Sequence, residues 1–382
     1  MPTPILLVAT TTASFGTARI PRALARAGFE VSLLTPRGAL AEKSRYVARF
    51  GYLPDAATVG DFLAAFASMV ASSSPRIVVP CDDMAFRLLA ELVRSPPDEM
   101  PSTLRLQLAG LVRESLGDPT HYATSVDQTL LPPAAEALGI RVPRYAIVAG
   151  PRDAEAFTRR NGYPVVLKRS HGIAGEGAAL CSGATELAQA FAEFAQSAAR
   201  DPAEPGGRYL LQAPVHGTPQ YLSLAAWKGV VVAGWAADGL VCDPAPKGAV
   251  TVVGHRRSPE VREFAERIVR GFGASGLLNL ECAIERGTGV PYLVEVSRRV
   301  NPGIHRGSWV GVDLCAALYA AVQGLPWTSR NDMGEGEERI AAHFPQEWLR
   351  DPESRFLRDC PVDVPWDEPE LIEAMLALRN AP

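Results

Sequence analysis

Two strand-like runs, Leu277–Glu285 and Val290–Val300, flank Arg286-Gly-Thr-Gly289, and that spacing restricts this stretch to a β-hairpin with Gly287, Thr288 and Gly289 in its loop. In this reading Arg286 faces Val290. Counting back along both strands sets Glu281 opposite Glu295 and Asn279 opposite Ser297. Alternation then gathers Leu278, Leu280, Cys282, Ile284, Tyr292, Val294 and Val296 on a core face, with Asn279, Glu281, Glu295, Ser297 and Arg299 on the other. Directly opposed side chains have Cβ atoms roughly 4.5–5.5 Å apart, where two carboxylates repel. Either water and Arg299 screen them on a solvated face, or a hard cation such as Mg²⁺, which takes one or two carboxylates, holds them. The hairpin alone leaves both explanations open.

A second feature is a lysine at a strand end. Tyr163-Pro-Val-Val-Leu-Lys168 is followed by Ser170-His-Gly-Ile-Ala-Gly-Glu-Gly177, so Gly172, Gly175 and Gly177 lie close to the Lys168 ammonium. Glycine lets backbone N–H groups approach an anion, and lysine supplies a compact positive charge, which together suit a phosphate cradle. No Gly-Lys-Ser/Thr follows, and the glycine order differs from the dinucleotide fingerprint. A flexible hairpin loop beside an exposed lysine is the plain alternative.

Around these motifs the chain changes character. The strand Ile5–Ala9, a helix with Ile20, Leu24 and Ala27 on one face, and the strand Glu30–Leu34 open as β-α-β. Helices near 59–71 and 84–94 with a strand at 76–80 continue that alternation. Beyond a helical segment at 125–138, closely spaced strands at 163–169, 178–181, 209–215, 221–227, 230–235 and 249–254 read as antiparallel α+β structure, with helices at 186–196 and 260–272. The fold class is therefore α/β plus α+β. With 382 residues, 47% hydrophobic and 21% charged, two or three subdomains are expected.

A formal net charge of −4 gives no field for a nucleic-acid backbone. The six cysteines are far apart and show neither Cys-x-x-Cys nor zinc spacing, as reduced thiols of a cytoplasmic protein would. The Ile5–Ala9 run is too short for a signal-peptide core, and no later run approaches a membrane span, so no membrane partner is expected.

The order of a β-α-β domain, Tyr163–Lys168 with its glycine-rich loop, Leu210-Leu-Gln-Ala-Pro-Val-His-Gly217, Asn279-Leu-Glu281 and Leu293-Val-Glu-Val-Ser-Arg-Arg299 resembles the ATP-grasp superfamily, in its carboxylate-amine ligase and carbamoyl phosphate synthase-like branch. The resemblance covers roughly residues 4–325. It implies a Rossmann-like preATP-grasp domain over 1–118, an ATP-grasp domain over 119–325 with 163–215 as a lid-like part, and a C-terminal tail or small unit over 326–382.

By the same resemblance, Lys168 contacts ATP phosphates and Ser170 to Gly177 close over them. Gln212, Ala213 and Val215 belong to the hinge whose backbone recognises adenine, and Gln220 stands near a ribose-binding position. Glu281 and Glu295 hold one or two Mg²⁺ ions, with Mn²⁺ as an acceptable substitute, and Ser297 is the third metal position. Arg299 contacts phosphate or an acyl phosphate, with Arg257 a second cation for the transferred phosphate. Three positions depart from the pattern: Gln128 stands for a lysine, Ala213 for an acid and Ser297 for an asparagine, with Asn301 four residues beyond Ser297.

The implied activity is ATP-dependent ligation of a small-molecule carboxylate to an amine through an acyl phosphate, in a chain for which a homodimer is allowed. Carboxylation through carboxyphosphate and nucleotide binding without turnover are the competing readings. Substrate-side candidates are His305 and Arg306, which read equally as a solvated surface loop, and Cys81-Asp82-Asp83 after the third N-terminal strand, where Asp83 equally caps a helix. His171 reads more simply as a solvated neighbour of the loop than as a catalyst.

Overall fold

A computed structural model describes residues 3–8, 17–54, 57–171, 177–198, 207–244, 248–330, 333–334 and 336–377. The chain divides into two compact units. Met1–Pro119, Gln220–Asn279 and Ser297–Pro382 form the first, and Thr120–Pro219 with Leu280–Val296 form the second.

The first unit opens with strands β1 (Thr3–Val8), β2 (Phe29–Pro36), β3 (Val47–Leu53) and β4 (Ile77–Pro80), all parallel, in the order β3-β2-β1-β4. The helices α1 (Ile20–Arg26), α2 (Val59–Ser73), α3 (Asp83–Arg94) and α4 (Ser102–Leu116) alternate with or follow them. Near-continuous apolar strands suit a parallel sheet covered by helices, and Ile5, Leu33 and Ile77 are each at most 1% exposed. The expected β-α-β opening is present. No periodic pattern marks β3 in the sequence, and as an edge strand it buries only Leu53 fully. Asp82 caps α3, accepting the Ala85 N–H at 2.8 Å, so the cap is the residue before the expected Asp83.

The second unit contains β5 (Tyr145–Val148), β6 (Val165–Arg169), β7 (Ala178–Cys181) and β8 (Tyr209–Gln212), ordered β5-β8-β6-β7 with every pair antiparallel. Its helices are α5 (Tyr122–Val126), α6 (Leu131–Ala137), α7 (Pro151–Asn161) and α8 (Ala184–Ala198). One face of the sheet is sealed. Val165 and Leu167 of β6, both 0% exposed, pack with Phe157 of α7, Phe191 of α8, and Tyr209 and Leu211 of β8. Full burial of one such aliphatic side chain contributes about 1.5–3 kcal/mol.

A further sheet has the order β13-β12-β9-β10-β11-β14, from β9 (Gly217–Trp227), β10 (Val230–Asp243), β11 (Ala249–Arg256), β12 (Gly276–Glu285), β13 (Pro291–Ser297) and β14 (Glu338–Ala342). With it come α9 (Pro259–Gly271), α10 (Leu314–Gln323), α11 (Gln346–Arg350), α12 (Arg355–Asp359) and α13 (Pro369–Ala377). The stretch read as a tail or small unit supplies an edge strand and three helices. No described helix is long and apolar enough to cross a membrane.

Candidate nucleotide and metal site

Lys168 gets its orientation from the pleat of β6. Because Val165 and Leu167 point into the α7/α8 core, Val166 and Lys168 point to the opposite face of the sheet. There the Lys168 ammonium donates to the Val294 carbonyl at 3.4 Å, beside Glu295. Burial pulls the Lys168 pKa below its ordinary value, while Glu295 and Glu281 act in the opposite sense. Burial first, then repulsion from Glu295, push the Glu281 carboxyl up to about 7, with Lys168 opposing. The two acids and the lysine are therefore one electrostatic group inside the second unit.

The hairpin that carries the acids closes one residue away from the expected register. Glu285 N–H donates to the Val290 carbonyl at 2.9 Å and Gly289 N–H to the Glu285 carbonyl at 3.0 Å. Arg286 does not face Val290, since its N–H donates to the His216 carbonyl at 2.8 Å. Gly287 and Gly289, at φ 89° and 70°, allow this four-residue turn. Tyr292 and Val294, expected in the core, are half-buried, whereas Leu293 is 1% and Val296 2% exposed, so the burial phase changes within β13. Gly217 fits the hairpin closely: a Cβ there would lie 1.8 Å from the Ile284 carbonyl oxygen.

Beside Lys168, the buried Ser170 places its hydroxyl 3.1 Å from His171 Nδ1 and accepts the Gln128 N–H on its carbonyl at 2.7 Å. Gln128, noted in the sequence as replacing a cation, is thus brought next to the loop, and its side-chain oxygen is buried without a partner among the described residues. Gly177, also buried, closes the loop by accepting Arg169 N–H at 2.8 Å. Gly172 and Gly175 lie outside the described residues.

The hinge differs from expectation at one atom. Ala213 N–H is already donated to the Arg144 carbonyl at 2.9 Å, so it is not free for a base. Gln212 is 4% exposed inside β8, where it pairs with both Tyr145 and Val166, and Val215 is half-buried beyond the strand.

Other predicted residues lie in the first unit. Gln220, 2% exposed, donates to Asp238 Oδ1 at 2.8 Å, and Arg256 donates to Asp238 Oδ2 at 2.8 Å. Gln220 is thus tied to a buried acid rather than presented as an open ribose contact. Asn279 accepts from Ser223 Oγ at 2.9 Å and donates to the Arg299 carbonyl at 2.8 Å. The Arg299 guanidinium donates to both carboxylate oxygens of Asp83, at 3.1 and 3.2 Å, so this predicted phosphate contact is held by an acid at the head of α3. Arg257 reaches the Met333 carbonyl at 3.5 Å, and Ser297 ends β13, 8% exposed. His305 and Arg306 are no solvated loop: the His305 side chain is 12% exposed and Arg306 is 7% exposed.

Among the described residues no group of three or more His, Cys, Asp or Glu is placed to hold a metal ion. The pair Glu281 and Glu295 does fit Mg²⁺, which keeps most of its shell as water and phosphate oxygen. Its divalent charge would relieve the repulsion that lifts Glu281.

Residues 127–204 match the family of carbamoyl-phosphate synthase L chain, ATP binding domains. Among solved structures, the chain is similar to the biotin carboxylase domain of the 2-oxoglutarate carboxylase of Hydrogenobacter thermophilus, in complex with MgADP, ADP and bicarbonate. That likeness has a TM-score of 0.65 at 16% identity and covers 90% of this chain and 74% of that one. It is similar to the N5-carboxyaminoimidazole synthetase of Staphylococcus aureus complexed with ADP, with TM-score 0.63, 12% identity and coverage of 92% and 87%. The L-amino acid ligase of Bacillus licheniformis gives TM-score 0.59, 13% identity and coverage of 84% and 74%. No curated protein matches the sequence. With a parallel β-α-β unit, an antiparallel four-stranded unit carrying Lys168, and a glutamate-bearing hairpin, the chain has the ATP-grasp fold.

Proposed function

We propose that the protein joins a small-molecule carboxylate to an amine at the expense of ATP, releasing ADP and phosphate. The observation that carries this reading is the electrostatic group of Lys168, Glu281 and Glu295, in which a carboxyl is lifted to about 7 by burial and a neighbouring acid. An isolated acid pair on a solvated face would not be so perturbed. The segment matched to an ATP-binding domain, which contains Lys168 and the glycine-rich loop, supports the same reading.

In the proposed reaction a substrate carboxylate oxygen attacks the γ-phosphorus of ATP, and the bond to the ADP oxygen breaks. The amine nitrogen then attacks the acyl carbon, phosphate leaves, and the nitrogen loses a proton. Glu281 and Glu295 would hold Mg²⁺, which neutralises phosphate charge when bound. Lys168 offsets the charge building on the transferred group. Replacing the customary lysine by Gln128 lowers the local positive charge and leaves an amide oxygen to accept from a substrate donor.

The test is a screen for ADP release from the purified protein with paired carboxylates and amines, with product masses read out. ADP formation that requires both partners, and a product mass equal to the two less water, is expected. Carboxylation is the second reading, favoured by the likeness to a carboxylase bound to MgADP and bicarbonate. Phosphate release that depends on bicarbonate, and a product heavier by one carboxyl group, would replace the first reading. Tight Mg²⁺-ATP binding with no turnover across both panels would point to a nucleotide-binding role.

A further inference from the structure

The four-stranded sheet of the second unit has an open edge with a cavity beside it. β5 is the first strand in the order β5-β8-β6-β7, and among the described residues it pairs only with β8. The Arg144 carbonyl accepts the Ala213 N–H at 2.9 Å, and the register continues with Ala146 opposite Leu211 and Val148 opposite Tyr209. In an antiparallel ladder alternate residues bond to a given neighbour. Arg144, Ala146 and Val148 therefore serve β8, and Tyr145 and Ile147 turn their N–H and C=O groups to the open side. A groove of about 490 Å³ lies there, its apolar lining supplied by Ala146 of β5 with Ala156 and Phe157 of α7. That volume suits a small organic ligand.

The charged groups on the lining are sorted by position. Asp153 Oδ2 accepts the Ala149 N–H at 3.0 Å, which holds the first turn of α7 at the far end of β5. Arg160 follows two turns later, about 10 Å along the helix axis, toward the end where Arg144 leads into β5. Glu136 is at this second end too, accepting the Tyr145 hydroxyl at 2.9 Å. Neither Arg144 nor Arg160 makes an ion pair among the described residues. Two cations and two acids leave the groove with no net charge, but unevenly spread: the arginine end is positive by one and the Asp153 end negative by one. A simple anion would meet only the first end. A zwitterion with its charges about 10 Å apart meets both, and an extended peptide advancing about 3.3 Å per residue covers that distance in about three residues. With its carboxylate at Arg144 and Arg160 and its ammonium at Asp153, such a peptide runs antiparallel to β5, where its backbone can pair with Tyr145 and Ile147.

We propose that this groove binds a short zwitterionic peptide, about three residues long, as an added strand on β5. It lies on the α7 side of the sheet, opposite to the face that carries Lys168, so the inference goes beyond the ligase reading and does not rest on it.

Calorimetric titration of the full-length protein, without nucleotide, with Ala-X-Ala tripeptides in which X is alanine, valine, leucine or phenylalanine tests it. At least one is expected to bind, and its N-acetylated and C-amidated forms to bind at least about fivefold more weakly, since each loses one charge-assisted contact. Arg160→Met should weaken that tripeptide by at least about fivefold, and Ala156→Trp, which fills the groove, should abolish binding, with MgADP affinity within about twofold of wild type in both. If Ala156→Trp fails to fold, Arg160→Met decides. No binding by any of the tripeptides, equal binding of the capped forms, or unchanged affinity in Arg160→Met, which would put the peptide elsewhere on the protein, overturns the proposal.

Discussion

Glu281 is a place where the fold gives up stability for a charge. Its carboxyl is lifted from 4.5 to about 7, chiefly by burial and then by Glu295. A raised carboxyl pKa means that the folded state resists ionisation, so the penalty is absent below pH 4.5, grows between 4.5 and 7, and is complete above. Each pKa unit is worth about 1.4 kcal/mol, so the full penalty is on the order of 3 kcal/mol in the metal-free protein. Glu281→Gln removes the charge and keeps the shape. Urea unfolding in EDTA should show the variant more stable than wild type by about 2–3 kcal/mol at pH 8 and equal to it at pH 4. Saturating Mg²⁺ with ADP should narrow the gap at pH 8 by stabilising the wild type alone. A variant less stable than wild type at pH 8 would refute the reasoning, because it would mean that Glu281 is held by compensating donors.

Other outcomes follow from the same geometry. Gly217→Ala should cost about 1–3 kcal/mol, read as a lower melting temperature, since the Ile284 carbonyl must be displaced to admit a Cβ. Asp82→Ala should lose about 1 kcal/mol as the cap of α3 goes, whereas Asp83→Ala leaves that cap hydrogen bond intact and should cost less. Acid should destabilise the first unit in two steps. The buried His255, lowered to about 4 by burial and by Arg306, resists protonation, so its contribution fades as pH falls from 6.5 to 4. Glu347, held at about 2 by Arg350, Ser354 and Thr251 against burial, loses its contribution as pH falls from 4.5 to 2. Denaturant midpoints between pH 7 and 3 measure both, and His255→Gln should flatten the upper step.

Local chemistry explains what could be read in the sequence. Apolar alternation and glycine spacing mark β6, β12 and β13, which set Lys168, Glu281 and Glu295, because each depends on neighbours a few residues away. The turn closes on Glu285, one residue from the expected pairing, because two loop glycines take positive φ, a choice made by backbone conformation rather than by hydrophobic pattern. Pairings across the chain left no local trace. Arg299 meets Asp83 across 216 positions, Arg19 meets Asp363 across 344, and the Ala213 N–H is taken by Arg144. One hint was available for Arg19: it sits between Ala18 and Ile20, residues that are 0% and 1% exposed. A cation inside an apolar run is either paired or binding something.

In the proposed reaction Glu281 and Glu295 hold Mg²⁺ for ATP cleavage beside Lys168. Glu295→Gln, assayed for Mg²⁺-dependent ADP release with the best substrate pair from the screen, tests it most directly. ADP release should be lost while circular dichroism and melting temperature in EDTA stay at or above wild type, since repulsion on Glu281 is removed. Wild-type turnover by the variant, with the same Mg²⁺ dependence, would contradict it.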